Sequence, residues 1–192
     1  MWVVLLIEAV FTKRSQLEPR NKLASFEAAI LPHLSSAYNY ARFLLQNESD
    51  AEDVVQESYL RAFKYFQGFH GGDSRAWLLT IVRNTSYNLL QQNRSRQLVD
   101  SIDDSTEVLD TSEYSNPDTV LRQRIDEDLL KQAIKELPIN FREVLILREM
   151  EELSYKEIST LCDLPIGTVM SRLARARARL QDKLAGKINQ EI

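Results

Sequence analysis

The 192-residue sequence has few of the residues that interrupt helices or make disulfides and zinc sites: five glycines, five prolines, two histidines and one cysteine. Long runs of Leu, Ala, Glu, Arg and Gln favour helices, and the β-branched alternation typical of strands hardly occurs. We therefore predict an all-α fold. The single Cys162 excludes an internal disulfide and favours a reducing cytoplasm. Because His33 and His70 lack metal-ligand spacing, we expect neither a metal nor another cofactor.

A long apolar run is also missing. The most apolar segment, MWVVLLIEAVF at the N-terminus, has no basic residue before it and is about half as long as the roughly 20 residues of a membrane span. We expect neither a signal peptide nor membrane insertion. Residues 1–22 are assigned as an N-terminal extension of unknown role. A buried strand or helix, a docking segment and an artefact of the assigned translation start all stay open.

Charge is distributed unevenly, although the net charge is only -4. The stretch from Gln97 to Leu121 contains no Lys or Arg, so the rest of the chain is net basic. Its acids are Asp100, Asp103, Asp104, Glu107, Asp110, Glu113 and Asp118. The stretch also lacks helical apolar periodicity. We predict a flexible acidic linker over residues 97–118, which joins two small helical domains at residues 23–96 and 119–192.

The C-terminal domain contains the sequence LSYKEISTLCDLPIGTVMSRLARARARL. Ser154 and Glu157 form a Ser-x-x-Glu capping box, which predicts a short helix from Tyr155 to about Cys162. A turn follows, and Pro165 can open the next helix. A short helix, a tight turn and a longer basic helix are typical of a helix-turn-helix.

Helical periodicity predicts two opposite faces for the basic helix. The core face is predicted to hold Ile166, Val169, Leu173, Ala176, Leu180 and Leu184. The opposite face centres on the small residues Ser171, Ala174 and Ala178, with Met170 and arginines beside them. Small central residues would let this helix enter the DNA major groove, with Ser171 and Arg175 at base edges and the flanking arginines at phosphates. A merely solvated basic face is the alternative, and the preceding capped helix disfavours it.

The N-terminal domain contains a helix with an unusual outer face, in the sequence SDAEDVVQESYLRAFKYF. Ser49 and Glu52 are predicted to cap it. Its outer face carries polar and acidic residues around one apolar side chain: Asp53, Gln56, Glu57 and Leu60. This combination suits a protein contact, although a single exposed Leu is common.

A second helix follows a loop that contains Gly71, Gly72, Asp73 and Ser74, residues that favour free φ angles and a helix cap. Its core stripe is predicted to hold Trp77, Leu78, Ile81, Val82 and Leu89. Its outer face is predicted to hold Arg83, Tyr87 and Arg94, with Thr80 and Asn84 nearby. Cations, an aromatic ring and amides on one face fit unstacked DNA bases, and an ordinary amphipathic helix is the alternative.

Three segments together resemble regions 2 and 4 of the extracytoplasmic-function (ECF) group of bacterial sigma factors, from about Phe26 to Leu184. They are DAEDVVQESYLRAF, GFHGGDSRAWLLTIVRNTSYN and LPINFREVLILREMEELSYKEISTLCDLPIGTVMSRLARARARL. The resemblance implies a non-enzymatic, cytoplasmic, stress-response subunit that directs core RNA polymerase to promoters and helps to melt them. It also implies an anti-sigma partner, which could hold the chain at the membrane, and a linker that threads the polymerase's RNA path.

The resemblance assigns roles to three sets of residues. The coiled coil of the largest subunit of core polymerase is contacted by Asp53, Gln56, Glu57 and Leu60. The flap region of the polymerase is a further contact. The minus-ten element is bound by Phe69, Gly71, Asp73, Ser74, Trp77, Arg83, Asn84, Tyr87 and Arg94. The minus-thirty-five element is bound by Thr168, Met170, Ser171, Arg172, Ala174, Arg175 and Arg179. Met170 and Ala174 depart from the longer polar or aromatic side chains often found in the family.

Two other classes of function stay open from the residues alone. A polymerase-independent regulator could use the same helix-turn-helix, and a palindromic site with a stable dimer would favour it. An enzyme acting on nucleic acid is disfavoured because the sequence shows no carboxylate-metal or Cys/His constellation.

Overall fold

The computed structural model describes residues 20–100 and 129–188 of the chain, and the side chains of residues 23–95 and 129–185. These residues form helices joined by short turns, which confirms the predicted all-α fold. The predictions for the N-terminal extension and for most of the acidic linker fall on residues 1–19 and 101–128, outside the described residues. Within the described part, no helix is long and apolar enough to span a membrane.

The N-terminal unit contains four helices: α1 (Arg20–Ile30), α2 (Leu34–Leu45), α3 (Glu48–Tyr65) and α4 (Ser74–Asp100). Helices α2, α3 and α4 all contact one another. Their core includes the aromatic side chains of Phe26 and Tyr59, whose rings meet edge to face at 6.3 Å. The buried Tyr59 hydroxyl donates to the carbonyl of Ile30 at 3.0 Å, so no polar atom of that side chain is left unpaired.

The inner face of α3 packs into the core, and its buried residues are Ala51, Val54, Val55, Ser58, Tyr59 and Ala62. The predicted cap of α3 is wrong. The helix begins at Glu48, and Asn47 Oδ1 accepts the backbone N–H of Asp50 at 3.0 Å. Asn is as good an N-cap residue as Ser. It stands two positions before Ser49, directly after Gln46 leaves α2 in a left-handed conformation (φ 60°), so it caps first.

The C-terminal unit contains α5 (residues 129–135), α6 (Ile139–Glu149), α7 (Tyr155–Cys162) and α8 (Ile166–Ile188). The predicted bounds of α7 are confirmed, and so is its capping box: Ser154 Oγ accepts from the Glu157 N–H at 3.2 Å, and the Glu157 carboxylate accepts from the Ser154 N–H at 2.7 Å. A left-handed Asp163 (φ 54°) makes the turn into α8. The helix-turn-helix is therefore present.

The predicted core face of α8 is confirmed at Val169, Leu173 and Ala176, which are all buried, and Leu180 packs partly against them. Leu184 is only half-buried, and the prediction is wrong for Ile166, which is 46% exposed. It is the first residue of the helix.

Removal of the α7 cap is expected to destabilise the protein slightly. In Ser154→Ala, the N–H of Glu157 loses its acceptor, which costs about 1 kcal/mol and lowers the melting temperature by a few degrees. Thermal unfolding followed by circular dichroism measures the shift. Ser35→Ala is the control, because Ser35 is an exposed serine inside α2. Equal shifts in the two variants would contradict a capping role.

Candidate functional site

The outer face of α3 is open to solvent. Asp53 and Glu57 are exposed, Gln56 is half-buried, and the Leu60 side chain is 41% exposed. Glu57 Oε1 accepts from Arg61 Nε at 2.6 Å one helical turn away, which holds the Glu57 carboxylate in place. The structure thus brings together all four residues that were predicted for this face.

The loop before α4 turns through two glycines with positive φ angles, Gly71 at 91° and Gly72 at 103°. A side chain is strained in that conformation, so these positions favour Gly. Asp73 then caps α4, because its Oδ1 accepts the N–H of Arg75 at 2.9 Å and that of Ala76 at 3.1 Å. Ser74 Oγ lies 3.0 Å from His33 Nε2, a hydrogen bond that ties the start of α4 to the start of α2.

Three aromatic rings lie beside this loop. Phe69 stacks on Phe66 with 5.9 Å between ring centroids, and Trp77 lies 5.0 Å from Phe69. Phe69 and Trp77 are only half-buried. The loop therefore carries aromatic surface that is partly accessible and is held by its own packing.

The predicted outer face of α4 divides into two parts. Asn84 and Arg94 are exposed, whereas Arg83 and Tyr87 are half-buried. Both point away from the core of the N-terminal unit, as predicted, but they do not point into solvent. They contact Glu143 of α6 in the C-terminal unit.

Glu143 is fully buried, and its carboxylate accepts three hydrogen bonds from the N-terminal unit. Oε1 accepts from Arg83 Nε at 2.7 Å and from the Tyr40 hydroxyl at 3.2 Å, while Oε2 accepts from the Tyr87 hydroxyl at 3.2 Å. The Arg83 guanidinium also lies over the Tyr87 ring, 4.7 Å from its centroid. This cluster of four side chains is called the Glu143 cluster below.

Burial and charge in the Glu143 cluster move the pKa values of its members. Burial alone would lower the pKa of Arg83, but the Glu143 carboxylate outweighs it and raises that pKa above its usual range. Burial, with the same carboxylate, raises the pKa values of Tyr40 and Tyr87. The Arg83 guanidinium and two neutral phenols therefore donate to Glu143 in this cluster.

Other contacts join the two units around this cluster. Arg75 at the start of α4 forms an ion pair with the buried Glu151, and the Gln46 side chain donates to the carbonyl of Lys135. Cys162 at the end of α7 is buried beside Arg83. Burial raises the pKa of its thiol to about 12, and Glu143 adds to the rise.

Sequence reasoning missed this contact between the units. Glu143 was not singled out, because a glutamate within a helix ordinarily faces solvent. Its partner Tyr40 and the buried Glu151 were not singled out either. One signal was available in the sequence of α6. Residues 144–147 are four consecutive apolar residues, which cover almost the whole circumference of a helix, so one face of α6 needs a partner beyond its own small domain.

The outer face of α8 is exposed at Met170, Ser171, Ala174 and Arg175, and Thr168 and Arg172 are half-buried. Among its arginines, Arg177 forms an ion pair with Glu149 at 2.6 Å, and Arg179 lies over the Phe141 ring at 4.9 Å. Arg175 forms no ion pair with any residue that the structure describes. Its guanidinium is therefore available to a partner.

Two further observations describe what this face can recognise. The Ser171 hydroxyl donates to the carbonyl of Thr168 at 3.0 Å, so its oxygen offers an acceptor to an outside group. Met170 is 52% exposed and offers apolar surface. The described residues contain no group of three or more His, Cys, Asp or Glu side chains that could hold a metal ion.

Two family profiles match the chain: Sigma-70 region 2 over residues 29–96 and Sigma-70, region 4 over residues 127–180. Together they define a protein of the sigma-70 class. The ECF RNA polymerase sigma factor SigE of Mycolicibacterium smegmatis is 31% identical over 164 residues, which cover 85% of this chain and 63% of that protein. The ECF RNA polymerase sigma-E factor of Salmonella typhimurium is 33% identical over 141 residues, which cover 70% of this chain and 74% of that protein.

Solved structures agree with these matches. The sigma factor RpoE of Bartonella quintana, in complex with the anti-sigma factor NepR, aligns with a TM-score of 0.68 at 29% identity, over 84% of this chain and 97% of that one. CnrH, in complex with the cytosolic domain of CnrY, shares the fold with a TM-score of 0.59 at 21% identity, over 94% of this chain and 96% of that one. The chain belongs to the ECF group of the sigma-70 family of RNA polymerase sigma factors. Membership in this group favours a sigma factor over a polymerase-independent regulator.

Proposed function

We propose that this chain binds core RNA polymerase, directs it to promoters with two elements at constant spacing, and helps to melt the minus-ten element. One observation carries the proposal: a single chain of this family presents both an exposed polar face around Leu60 and an exposed recognition helix. The first surface suits a protein and the second suits DNA. A factor that connects polymerase to promoters needs both.

The outer face of α3 is the proposed polymerase contact. Binding of a partner would remove the apolar surface of Leu60 from water. The surrounding acidic side chains favour a partner with a basic surface. The coiled coil of the polymerase's largest subunit is the proposed partner of this face. The flap region is the proposed partner of the C-terminal unit.

The outer face of α8 is the proposed reader of the minus-thirty-five element. Arg175 can donate two hydrogen bonds to the O6 and N7 atoms of a guanine, and Ser171 can accept from a base amino group. Met170 and Ala174 match the methyl group of thymine. Arg172, Arg179 and Thr168 lie at the margins of this face, where phosphates are expected.

The loop at residues 69–74 and the outer face of α4 are the proposed minus-ten surface. Partly accessible aromatic surface at Phe69 and Trp77 suits the stacking of an unpaired base. Extrusion of a base costs a few kcal/mol, which the two DNA contacts together offset once polymerase fixes their separation. Asn84 and Arg94 are exposed along the same helix and can follow the strand.

Within this proposal the chemistry of RNA synthesis belongs to the polymerase, and the chain acts as its promoter-specificity subunit in the bacterial cytoplasm. An anti-sigma protein is a proposed regulator, since the Bartonella quintana relative is known in complex with one. Such a regulator could hold the chain at the membrane.

Transcription from fragmented genomic DNA of the source bacterium tests the proposal. Core polymerase is used with and without this protein, and new 5′ ends are mapped. We expect starts that appear only with the protein and share two elements at constant spacing. If no such starts appear and the protein does not co-elute with core polymerase, the proposal fails, and an independent DNA-binding regulator takes its place.

A further inference from the structure

The start of α8 carries an exposed pair of apolar side chains. Ile166 is 46% exposed and Met170 is 52% exposed. Residues four positions apart lie on the same side of a helix, so these two side chains are neighbours on its surface. A single exposed apolar residue needs no explanation, but two neighbours beside the recognition face form a continuous apolar surface. They are called the apolar pair below.

Gly167 lies next to the apolar pair and has no role in packing within the chain. A side-chain carbon added at this position would meet no atom within 4 Å among the described residues beyond its own turn of helix. Its φ is not positive either, since the described glycines with positive φ are Gly71 and Gly72. Only Pro is less favourable than Gly in a helix. A glycine that neither the backbone nor the core requires is typical of a place where an outside surface approaches the backbone closely.

We propose that the apolar pair, with Gly167 beside it, binds the methyl group of a thymine in the minus-thirty-five element, so that Ile166 is a specificity-determining residue. This inference rests on the proposed function, since it concerns how α8 reads that element. In a helix-turn-helix, the N-terminal residues of the recognition helix contact base edges. Ile166 is the first residue of α8 and is therefore placed to reach a base.

The chemistry of the apolar pair selects thymine. In the major groove thymine offers a methyl group, whereas the other three bases are distinguished by hydrogen-bond donors and acceptors. Isoleucine has no hydrogen-bonding group in its side chain, and methionine has only a weak acceptor. A polar base edge against these side chains would lose water without gaining a partner. The pair therefore favours thymine and disfavours the other bases.

The proposed thymine is not part of the base pair that Arg175 reads. Arg175 follows Ile166 by nine residues, which corresponds to about 14 Å along the helix axis. Successive bases of one DNA strand are only about 3.4 Å apart. Side chains that are so far apart reach different base pairs, so the apolar pair and Arg175 specify different positions of the element.

The test removes one methyl group at a time from the DNA. Core polymerase with the full-length protein is bound to a promoter mapped by transcription, and each thymine of the minus-thirty-five element is replaced in turn by deoxyuridine, which lacks only that methyl group. We expect the wild-type protein to bind about fourfold more weakly when one particular thymine is replaced. In Ile166→Ala, the preference for thymine at this position should fall below about twofold.

Met150→Ala is the matched control, because Met150 is 44% exposed in the same unit but lies at the end of α6. It should retain the wild-type preference for thymine. Ile166→Val is the conservative companion, which keeps a branched apolar side chain and should keep most of the preference. Thermal unfolding of each variant shows whether the fold is retained.

Gly167→Ala tests the close approach of DNA separately. The added methyl group has open space within the chain, and Ala is more favourable than Gly in a helix, so the melting temperature should be unchanged or higher. Promoter binding should nevertheless weaken about fivefold or more, because the methyl group holds the base edge away from α8. If Gly167→Ala binds the promoter as tightly as the wild type, no base edge approaches this turn, and the inference is wrong.

The outcomes separate this inference from the proposed function. If transcription starts are found but no thymine of the element responds to deoxyuridine, or if Ile166→Ala keeps the wild-type preference, the inference is wrong and the proposed function stands. If Ile166→Ala weakens binding to core polymerase without changing the preference for thymine, the apolar pair is a protein contact, and the inference is wrong. If the wild-type protein yields no transcription starts, the proposed function fails, and the inference fails with it.

Discussion

Leu60→Asp is expected to reduce the affinity for core polymerase by about 30-fold or more, since truncation of a central apolar contact residue costs about 2 kcal/mol or more. The substitution places a charge at the middle of the proposed contact, where a partner would have to desolvate it. It leaves the fold intact because the side chain is 41% exposed on the face of α3 opposite the core. Titration of labelled protein with core polymerase measures the change.

Leu31→Asp is the matched control for this measurement. Leu31 is 40% exposed and lies in the same unit, at the start of the 3-10 turn before α2 rather than on α3. Polymerase binding should be unchanged in this variant. If both substitutions weaken binding equally, the effect is a general response to a new surface charge, and the outer face of α3 loses its assignment.

Arg175→Ala is expected to remove discrimination at one base pair of the minus-thirty-five element. A bidentate contact between arginine and guanine contributes about 1–3 kcal/mol of discrimination, which corresponds to about 5- to 150-fold in relative promoter use. Arg175 is suited to this contact because it is exposed and free of ion pairs among the described residues. Transcription from a promoter library randomised at that element measures the preference at each position.

Arg177→Ala provides the control, because Arg177 follows two positions later on α8 and its guanidinium is paired with Glu149. This variant should retain the base preferences of the wild-type chain. A uniform loss of transcription over all sequences in Arg175→Ala, with no change in preference, would instead identify Arg175 as a phosphate contact.

Local signals were sufficient where neighbouring residues decide the structure. Ser154 and Glu157 satisfy each other's backbone donors within four residues, so the start of α7 could be predicted from the sequence. The start of α3 was misplaced because two acceptable caps, Asn47 and Ser49, stand close together. The backbone conformation after Gln46 decides between them, and no sequence pattern reports it.

Contacts between residues far apart in the sequence could not be predicted from local sequence patterns. Periodicity correctly placed Arg83 and Tyr87 on the outer face of α4, but it cannot say whether that face meets solvent or protein. Their partner Glu143 lies about 60 residues further along the chain. Periodicity identifies a surface, whereas the fold determines what covers it.

The ion pair between Arg83 and Glu143 also affects how the protein is distributed between non-specific DNA and solution in the cell. A chromosome offers millions of non-specific sites to any protein with free cations on its surface, and such sites would sequester a factor that displayed all its DNA contacts at once. Pairing Arg83 with Glu143 withholds one cation from that reservoir. On the proposed function, we expect more of the population to stay in solution, where it can bind polymerase.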